Sequence, residues 1–312
     1  MSVAFLFPGQ GSQSPGMLHA LPEHPAVART LEEASQILHQ DVRDLDSSES
    51  LQSTVPVQLA LLTAGVAVAR ALADEGVVPE AIAGLSVGAF AAATHCGVIS
   101  FSDAIQLVRA RAELMQSLFP SGYGLSAIVG LTESQVSALV TEAHSAQTPV
   151  YVGNINAPRQ IVIAGSDAGM SAVLEAARKS GARKTERLHV AVPSHCPLLE
   201  PVAEALRTRL KGMQLRQPQL IYVSNVKARA LRHANAVAED LANNIAHGVR
   251  WHDATTVLEE LGCRLFLEMP PGQVLSGLAK ESFPDVRSVA LGQSTLRGAL
   301  HVVALTSRGG IL

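Results

Sequence analysis

A single pentapeptide, Gly84-Leu85-Ser86-Val87-Gly88, constrains this chain more than any other segment because of the residues that flank it. The apolar residues 81–83 before it predict a buried strand, and the alanine-rich residues 89–96 after it predict a helix that Gly97 can end. A G-x-S-x-G sequence between a strand and a helix is typical of a nucleophile elbow. The pattern predicts that the Ser86 hydroxyl stands at the carboxyl end of a strand, beside the free N–H groups of a helix start. A purely structural turn is the alternative.

The composition favours a protein built from helices and a parallel sheet. Of the 312 residues 47% are hydrophobic but only 4% are aromatic, and a core rich in Ala, Val and Leu suits that architecture better than an all-β one. The net charge of −3 offers no basic field for nucleic acid or for a membrane surface, and we expect neither partner. The three cysteines are far apart, so we expect no disulfide or metal framework and a cytoplasmic location.

No targeting segment, membrane span or cofactor motif is expected. The apolar run Val3–Phe7 is short, has no basic residue before it and stops at Pro8-Gly9. No run approaches the roughly eighteen apolar residues of a membrane span. The chain has no G-x-G-x-x-G after a strand, no G-x-x-x-x-G-K-[ST] and no H-E-x-x-H. We therefore expect no bound dinucleotide, other cofactor or metal ion.

The order of the predicted elements indicates an α/β protein with two subdomains. Between residues 125 and 190 the pattern is strand, helix, strand, strand, helix, strand, the βαββαβ order of a ferredoxin-like unit. We expect this small subdomain, residues 123–191, to be inserted into a large α/β subdomain formed by residues 1–122 and 192–312. The predicted strands are 3–7, 81–83, 125–130, 149–155, 159–164, 184–190, 220–224 and 264–268; the predicted helices are 25–39, 56–74, 89–96, 102–118, 132–144, 167–180, 197–212, 235–246, 252–261 and 273–281, with one more in the tail 295–312.

A nucleophilic serine needs a base, and His195 is the candidate that the sequence places best. It lies in Val192-Pro193-Ser194-His195-Cys196-Pro197, just after an apolar stretch that predicts a strand. Two prolines keep this loop out of a helix, and loops at strand ends are where open α/β sheets place catalytic groups. A histidine that only hydrogen-bonds the backbone of a turn would give the same sequence. His95 and His189 are weaker candidates.

Arg111 interrupts an apolar stripe on the predicted helix 102–118. Val108 and Met115 belong to the stripe, and Arg111 falls three residues after the first and four before the second. A buried guanidinium is costly unless it meets an anion in good geometry. Either a buried Asp or Glu of the chain pairs with it, or the carboxylate of a ligand does, and the sequence leaves both open.

Taken together, these segments resemble the malonyl-CoA:acyl-carrier-protein transacylase family nearly end to end. The resemblance implies an α/β-hydrolase-like core with a parallel sheet, an inserted ferredoxin-like lobe, and an active site in the cleft between them. An ordered set of motifs carries it and is far more specific than any single motif. The set consists of Phe7-Pro8-Gly9-Gln10-Gly11-Ser12-Gln13, the elbow 84–88, Arg111-Ala112-Glu113-Leu114-Met115-Gln116, residues 154–165 from Asn154-Ile155-Asn156 to Gly165, residues 192–196, and Asn244 through Trp251.

The resemblance implies a role for each matching position. Ser86 corresponds to the family's nucleophile and His195 to its general base. The backbone N–H groups of Gln10 and Val87 correspond to the oxyanion hole. Arg111 corresponds to the arginine that binds the malonyl carboxylate. Asn244 stands where a main-chain carbonyl orients the histidine, which would replace the acid of a triad. The residues expected to line the pocket are Leu85, Met115, Asn154, Asn156 and Ser194.

Departures from the usual family pattern indicate a particular branch. Many transacylases of fatty-acid synthesis carry a histidine before the nucleophile and an acidic residue after the motif, where this chain has Leu85 and Ala89. Met269-Pro270-Pro271-Gly272 stands in place of a glycine-proline-glycine sequence. Together with the early segment Pro15-Gly16-Met17-Leu18-His19-Ala20-Leu21-Pro22, the Gly-Leu-Ser-Val-Gly-Ala-Phe form of residues 84–90 is similar to the epsilon subunit of malonate decarboxylase. That similarity implies transfer of malonyl from malonyl-CoA to the prosthetic thiol of the decarboxylase's carrier subunit.

Three other functions remain open. The closest alternative is a malonyl-CoA:acyl-carrier-protein transacylase of fatty-acid or polyketide synthesis, which would use the same residues and a different acyl carrier protein. A thioester hydrolase would use water as its second nucleophile but would not need a buried arginine. A non-catalytic docking subunit would keep the fold without the chemistry, and the intact Ser86, His195 and Arg111 argue against it.

Overall fold

Two β-sheets organise the protein, which the computed structural model describes over residues 2–307. The strands are β1 (Ser2–Phe7), β2 (Ala81–Gly84), β3 (Tyr123–Val129), β4 (Val150–Ala157), β5 (Gln160–Ser166), β6 (Lys184–Arg187), β7 (Ile221–Val223), β8 (Ala230–Leu231), β9 (Cys263–Glu268) and β10 (Arg287–Ala290). One sheet has the order β10-β9-β1-β2-β7-β8, in which every neighbouring pair is parallel except β7 and β8. The other has the order β4-β5-β3-β6 and is antiparallel.

Helices pack on both faces of the larger sheet. Successive side chains of a strand point to opposite faces, and β1 accordingly contributes Phe5 and Phe7 to one apolar core and Ala4 and Leu6 to another. The burial of both faces explains why β1 is apolar throughout. The helices are α1 (Pro25–Leu38), α2 (Thr54–Asp74), α3 (Gly88–His95), α4 (Phe101–Leu118), α5 (Glu133–Ala143), α6 (Asp167–Lys179), α7 (Glu200–Lys211), α8 (Ala234–Asn243), α9 (Trp251–Glu260), α10 (Val274–Ser282) and α11 (Leu296–Ser307).

Helix α2 forms the middle of the larger core. By length and apolar composition alone it could cross a membrane, which corrects the expectation that no segment approaches that length. However, 83% of its most apolar window is buried inside the protein, where α2 contacts α1, α3 and α4. A helix that is apolar nearly all round is expected at such a position, so the packing accounts for its composition.

The smaller sheet follows the element order that the sequence predicts. The elements β3, α5, β4, β5, α6 and β6 succeed one another as strand, helix, strand, strand, helix, strand, and a separate apolar core lies between this sheet and its two helices. The mixed α/β class is confirmed. Strand β6 is shorter than the predicted strand 184–190. It is an edge strand that pairs only with β3, and beyond it the Val190 N–H donates to the Leu188 carbonyl in a tight turn.

Other element boundaries also differ from the prediction. The helix predicted over 235–246 ends at Asn243, and Asn244 is its capping residue. Strands β8 and β10 were not predicted, because segments of two and four residues are too short to show a reliable alternation. The helix expected in the tail is α11, and residues 308–312 lie outside the described residues.

Gly88 tests how closely the elbow packs on the central sheet. A Cβ atom at Gly88 would lie 2.2 Å from the carbonyl oxygen of Phe7, so we expect Gly88→Ala to destabilise the protein by about 1–3 kcal/mol, as overpacking does. Gly277→Ala on α10 is the matched control, because nothing lies within 4 Å of its Cβ position; it should be neutral or stabilise by up to about 1 kcal/mol. Urea denaturation measures both free energies of unfolding, and equal values would contradict the prediction.

Candidate active site

Ser86 lies where β2 ends and α3 begins, in the strand–turn–helix arrangement that the sequence predicts. Its φ of 55° is in the left-handed region, which a residue with a side chain adopts at a cost of about 1–3 kcal/mol. The turn is held on the neighbouring strand, since the Leu85 N–H donates to the Phe7 carbonyl at 2.9 Å. The reversal places Ser86 at the carboxyl edge of the central sheet, where such sheets bind ligands.

His195 contacts Ser86 directly. Its Nε2 lies 2.8 Å from Ser86 Oγ, and its Nδ1 lies 2.7 Å from the main-chain carbonyl oxygen of Asn244. A carbonyl oxygen can only accept, so Nδ1 carries the proton and Nε2 is free to accept the Ser86 hydroxyl proton. The His195 N–H also donates to the Ile245 carbonyl at 2.8 Å. The main chain at the end of α8 therefore fixes both the tautomer and the orientation of the ring.

The His195 ring is held in its neutral form. Burial and, to a lesser extent, the nearby Arg111 charge lower its pKa to about 3, against the raising effect of the Asn244 carbonyl. A group whose pKa lies far below 7 is deprotonated at neutral pH. The imidazole is therefore available as a proton acceptor, which is the state that a general base requires.

Arg111 reaches Ser86 from α4 and is only 1% exposed. Its Nη2 donates to Ser86 Oγ at 3.0 Å, and its Nη1 donates to the Gln58 side-chain oxygen at 2.5 Å. No salt bridge of the described residues includes Arg111, so the ion pair within the chain that the sequence left open is not formed there. Burial lowers the pKa of Arg111 to about 9, which leaves the guanidinium charged at neutral pH. A buried cation with only neutral partners is a site for an anion.

Two backbone N–H groups beside Ser86 are available as donors. The Val87 N–H lies at the start of α3, and the Gln10 N–H lies in the loop after β1. In residues 2–307 neither N–H donates to another protein group. The Gln10 loop packs closely on the elbow, since a Cβ at Gly9 would lie 2.7 Å from the Leu85 carbonyl oxygen. This arrangement can serve as an oxyanion hole, with the helix dipole adding to the field.

A cavity of about 600 Å³ opens beside Gln10. Its wall includes the exposed His189 and also Arg187 from the end of β6. The five residues expected to line the pocket are not part of this wall. They are more deeply placed: Leu85, Met115, Asn154 and Ser194 are buried and Asn156 is partly buried. His95, the other weak candidate for the base, packs on Phe5 with ring centroids 5.4 Å apart.

Sequence reasoning missed two residues that touch this centre. Gln58 lies within the apolar helix α2 and is 1% exposed. The only sequence signal for its role was a single glutamine among the apolar residues of a buried helix. Its side-chain oxygen accepts from Arg111, and its Nε2 lies 3.4 Å from the Gln10 side-chain oxygen. Asn225 follows β7 and hydrogen-bonds the main chain of the elbow. In the described chain no group of three His, Cys, Asp or Glu side chains is arranged to hold a metal ion.

Comparison with known proteins identifies one family across nearly the whole chain. Residues 4–298 match the family described as acyl transferase domain. A malonyl CoA-acyl carrier protein transacylase of Haemophilus influenzae is 35% identical, covering 92% of this chain and 94% of that protein. The crystal structure of FabD from Acinetobacter baumannii has a TM-score of 0.92 at 35% identity and covers 98% of this chain and 99% of its own. A malonyl-transacylase solved with a type II polyketide-synthase acyl-carrier protein has a TM-score of 0.91 at 34% identity. The match covers 98% of this chain and 100% of that chain.

The charge of Arg111 should contribute to the pH dependence of Ser86 reactivity. Because His195 is deprotonated down to a pKa of about 3, we expect sulfonylation of Ser86 by phenylmethylsulfonyl fluoride to keep its rate well below the ordinary histidine pKa of about 6.5. Arg111→Ala removes a positive charge, so the pKa of His195 should rise. The acid limb, which is the fall of the sulfonylation rate on the acid side of the pH profile, should then move to higher pH.

Arg109→Ala is the control for this experiment. It removes an equal charge from the same helix, at a residue that makes no hydrogen bond to Ser86 or His195 in the described structure. Its acid limb should coincide with that of the wild type. An Arg111→Ala limb that stays with the wild type would show that Arg111 does not set the state of His195.

Proposed function

The chain belongs to the acyl transferase family, and on that premise we propose that Ser86 carries a malonyl group from malonyl-CoA to the thiol of an acyl carrier protein. The protein is an acyltransferase with malonyl-CoA:acyl carrier protein transacylase activity. The single observation that carries the mechanism is the meeting of His195 Nε2 and Arg111 Nη2 on Ser86 Oγ, at 2.8 and 3.0 Å. A base and a buried cation on one hydroxyl fit a nucleophile whose substrate bears a carboxylate.

The first half-reaction acylates the serine. His195 Nε2 takes the hydroxyl proton as Ser86 Oγ attacks the thioester carbon of malonyl-CoA, and the carbonyl oxygen becomes an oxyanion within reach of the Gln10 and Val87 N–H groups. Such donors contribute roughly 10²–10³ in rate each. The carbon–sulfur bond then breaks, the coenzyme A sulfur takes the proton from His195, and a malonyl ester remains on Ser86.

The second half-reaction reverses the same chemistry with another thiol. His195 takes the proton of the carrier's prosthetic thiol, whose sulfur attacks the malonyl ester and expels Ser86 Oγ, which recovers a proton from His195. The sequence of two displacements is a ping-pong mechanism. No metal or redox partner is needed to balance either step, and we infer that the protein works without a bound cofactor. We also propose a cytoplasmic location, which the three widely separated cysteines support.

Arg111 selects the acyl group in this mechanism. A carboxylate makes a stronger, charge-assisted hydrogen bond to a guanidinium than a neutral hydroxyl does. The carboxylate of a malonyl group would therefore take over the Nη2 donor that Ser86 Oγ holds in the free enzyme. The substrate would thus be oriented by its charged end while its thioester faces Ser86.

We also infer that the two sheets correspond to two subdomains. The smaller, residues 123–191, would be a ferredoxin-like insertion, and residues 1–122 and 192–312 would form an α/β-hydrolase-like core. The strand order β4-β5-β3-β6 and the separate apolar core of the smaller sheet support this division. Ser86, His195 and Arg111 all come from the larger part, and the cavity beside Gln10 includes residues of both.

Two classes of acyl carrier protein are candidate acceptors. The relatives support a carrier of fatty-acid or polyketide synthesis, since those compared are named malonyl transacylases and one was solved with a polyketide-synthase carrier. Leu85 and Ala89, the two departures from the usual motif, favour instead the carrier subunit of malonate decarboxylase. A thioester hydrolase is the weaker alternative, because it has no use for the buried Arg111.

Radiolabelled malonyl-CoA tests the mechanism and the acceptor together. The wild type should form a stable malonyl-enzyme, and Ser86→Ala should form none. Addition of each carrier protein in its thiol form should then discharge the label to the physiological acceptor at the higher rate. Label that survives Ser86→Ala would refute the serine intermediate, and rapid discharge to water without a carrier would favour a hydrolase.

Arg111→Ala tests the selection of the acyl group. Loss of one charge-assisted hydrogen bond costs about 2 kcal/mol, so kcat/KM for malonyl-CoA should fall about 30-fold. The neutral amide analogue malonamoyl-CoA provides the control, because it keeps the shape of malonyl without the charge and should lose much less. If the ratio of the two kcat/KM values is the same in the variant and the wild type, Arg111 does not bind the carboxylate.

A further inference from the structure

The side chain of Asn225 bridges the two ends of the strained turn at Ser86. Its Oδ1 accepts from the Ser86 N–H at 3.0 Å, and its Nδ2 donates to the Gly84 carbonyl at 2.7 Å. Asn225 is 1% exposed. Its place follows from the parallel pairing of β2 and β7, which sets Ala83 beside Val223 and so brings the residues after both strands together.

Asn225 is itself fixed by a buried carboxylate on α8. Asp240 accepts from the Asn225 N–H and the Val226 N–H, both at 3.2 Å, and from the Tyr222 hydroxyl at 2.9 Å. The Ser224 hydroxyl donates to the same carboxylate. Four donors compensate the burial of Asp240, which is 5% exposed. The loop after β7 therefore has one well-defined conformation, with the Asn225 amide facing the elbow.

The same helix carries the group that orients the base. Asn244 lies four residues after Asp240, one turn along α8, and its N–H donates to the Asp240 carbonyl. The Asn244 carbonyl accepts from His195 Nδ1, and its Nδ2 donates to the Ser86 carbonyl at 3.1 Å. One end of α8 therefore acts on Ser86 in two ways, through the Asn244 side chain and through Asp240, which holds Asn225. The same end orients His195 through the Asn244 carbonyl.

We propose that Asn225 is a positioning residue for the reaction, which holds the Ser86 turn in register with His195 and keeps the Val87 N–H free for the oxyanion. The Asn225 amide hydrogen-bonds the Ser86 N–H and the Gly84 carbonyl. Without these bonds, both main-chain groups could pair with other groups in a relaxed turn. A turn that relaxed from a φ of 55° would move both Oγ and the adjacent Val87 N–H. The proposal rests on the proposed function only in taking Ser86 as the nucleophile.

Asn225→Leu is the first test, because leucine has a similar volume and makes neither hydrogen bond. The rate of Ser86 sulfonylation by phenylmethylsulfonyl fluoride and the rate of malonyl-enzyme formation at saturating malonyl-CoA should both fall about 10²-fold, the effect expected of a misplaced reacting group. The KM for malonyl-CoA should change little, since Asn225 makes no contact with Arg111 in the described structure. Circular dichroism well below the melting temperature verifies that the variant is folded.

Tyr222→Phe is the matched control. It removes a buried hydrogen bond to the same Asp240 carboxylate but leaves both bonds of the Asn225 amide in place. It should lower the melting temperature while both rates stay within about twofold of the wild type. If a loss of stability alone slowed the reaction, the two variants would show the same relation between melting temperature and rate.

Asn225→Asp provides a second variant should the leucine variant fail to fold. Its carboxyl group, when protonated, can donate to the Gly84 carbonyl as the amide does, and when ionised it cannot. The titratable groups around it are Asp240 and Tyr222 beside it, and His195 and Arg111 across Ser86. Its rate of sulfonylation relative to the wild type should rise as the pH falls from about 8 to about 5, because burial near Asp240 favours the protonated form.

The results separate this proposal from the proposed function. Sulfonylation and malonyl transfer at wild-type rates in a folded Asn225→Leu protein would overturn the positioning role. A ratio of rates for Asn225→Asp that falls as the pH falls from about 8 to about 5 would do the same. A wild type that is sulfonylated at Ser86 but forms no malonyl-enzyme would refute the transacylase mechanism, while the sulfonylation series would still decide the role of Asn225.

Discussion

The positive charge of Arg111, buried beside Ser86 with only neutral hydrogen-bond partners in the described chain, is the constraint on which the rest of the site depends. Taking a guanidinium out of water is costly, and neutral partners recover only part of that cost. The charge has two consequences at one place. It adds to the effect of burial, which is the larger cause, in lowering the pKa of His195, and it makes an anionic acyl group the ligand that best completes the site. The same buried charge therefore contributes both to the selection of the substrate and to the neutral state of the base.

The topology of the larger sheet brings the reacting groups together. Ser86 is separated by 109 residues from His195 and by 158 from Asn244, yet contacts both. The parallel neighbours β1, β2 and β7 end at one edge, which brings the loops of Gln10, Ser86 and Asn225 together. His195 reaches this edge from the loop before α7, and Asn244 reaches it from the end of α8. The elbow is strained at φ 55°, and such strain persists only where the surroundings over-determine it. The loop after β1, the loop after β7 and the end of α8 supply those surroundings.

The sequence predicted the parts of the site whose signals are local. The elbow is a strand, a turn and a helix in sequence order, and Arg111 is a break in a helical period, so both were visible. Asn225 was not, because its contact with the elbow depends on β7 being the neighbour of β2, and no local pattern encodes strand order. The Asn244 contact is made by a backbone carbonyl, which leaves no side-chain signal, and it was reached only through the resemblance to a family. Gln58 looked like any polar residue in an apolar helix.

The choice of acceptor has a different physical basis from the choice of acyl group. Leu85 and Ala89, which separate this elbow from the usual motif, are 9% and 0% exposed. Side chains so deeply buried act on the packing of the elbow and do not meet a protein partner. An acyl carrier protein can contact only exposed residues, such as Arg187 and His189 on the rim of the cavity beside Gln10. Carrier recognition and nucleophile chemistry can therefore change independently, since a substitution on the rim would leave the contacts among Ser86, His195 and Arg111 intact.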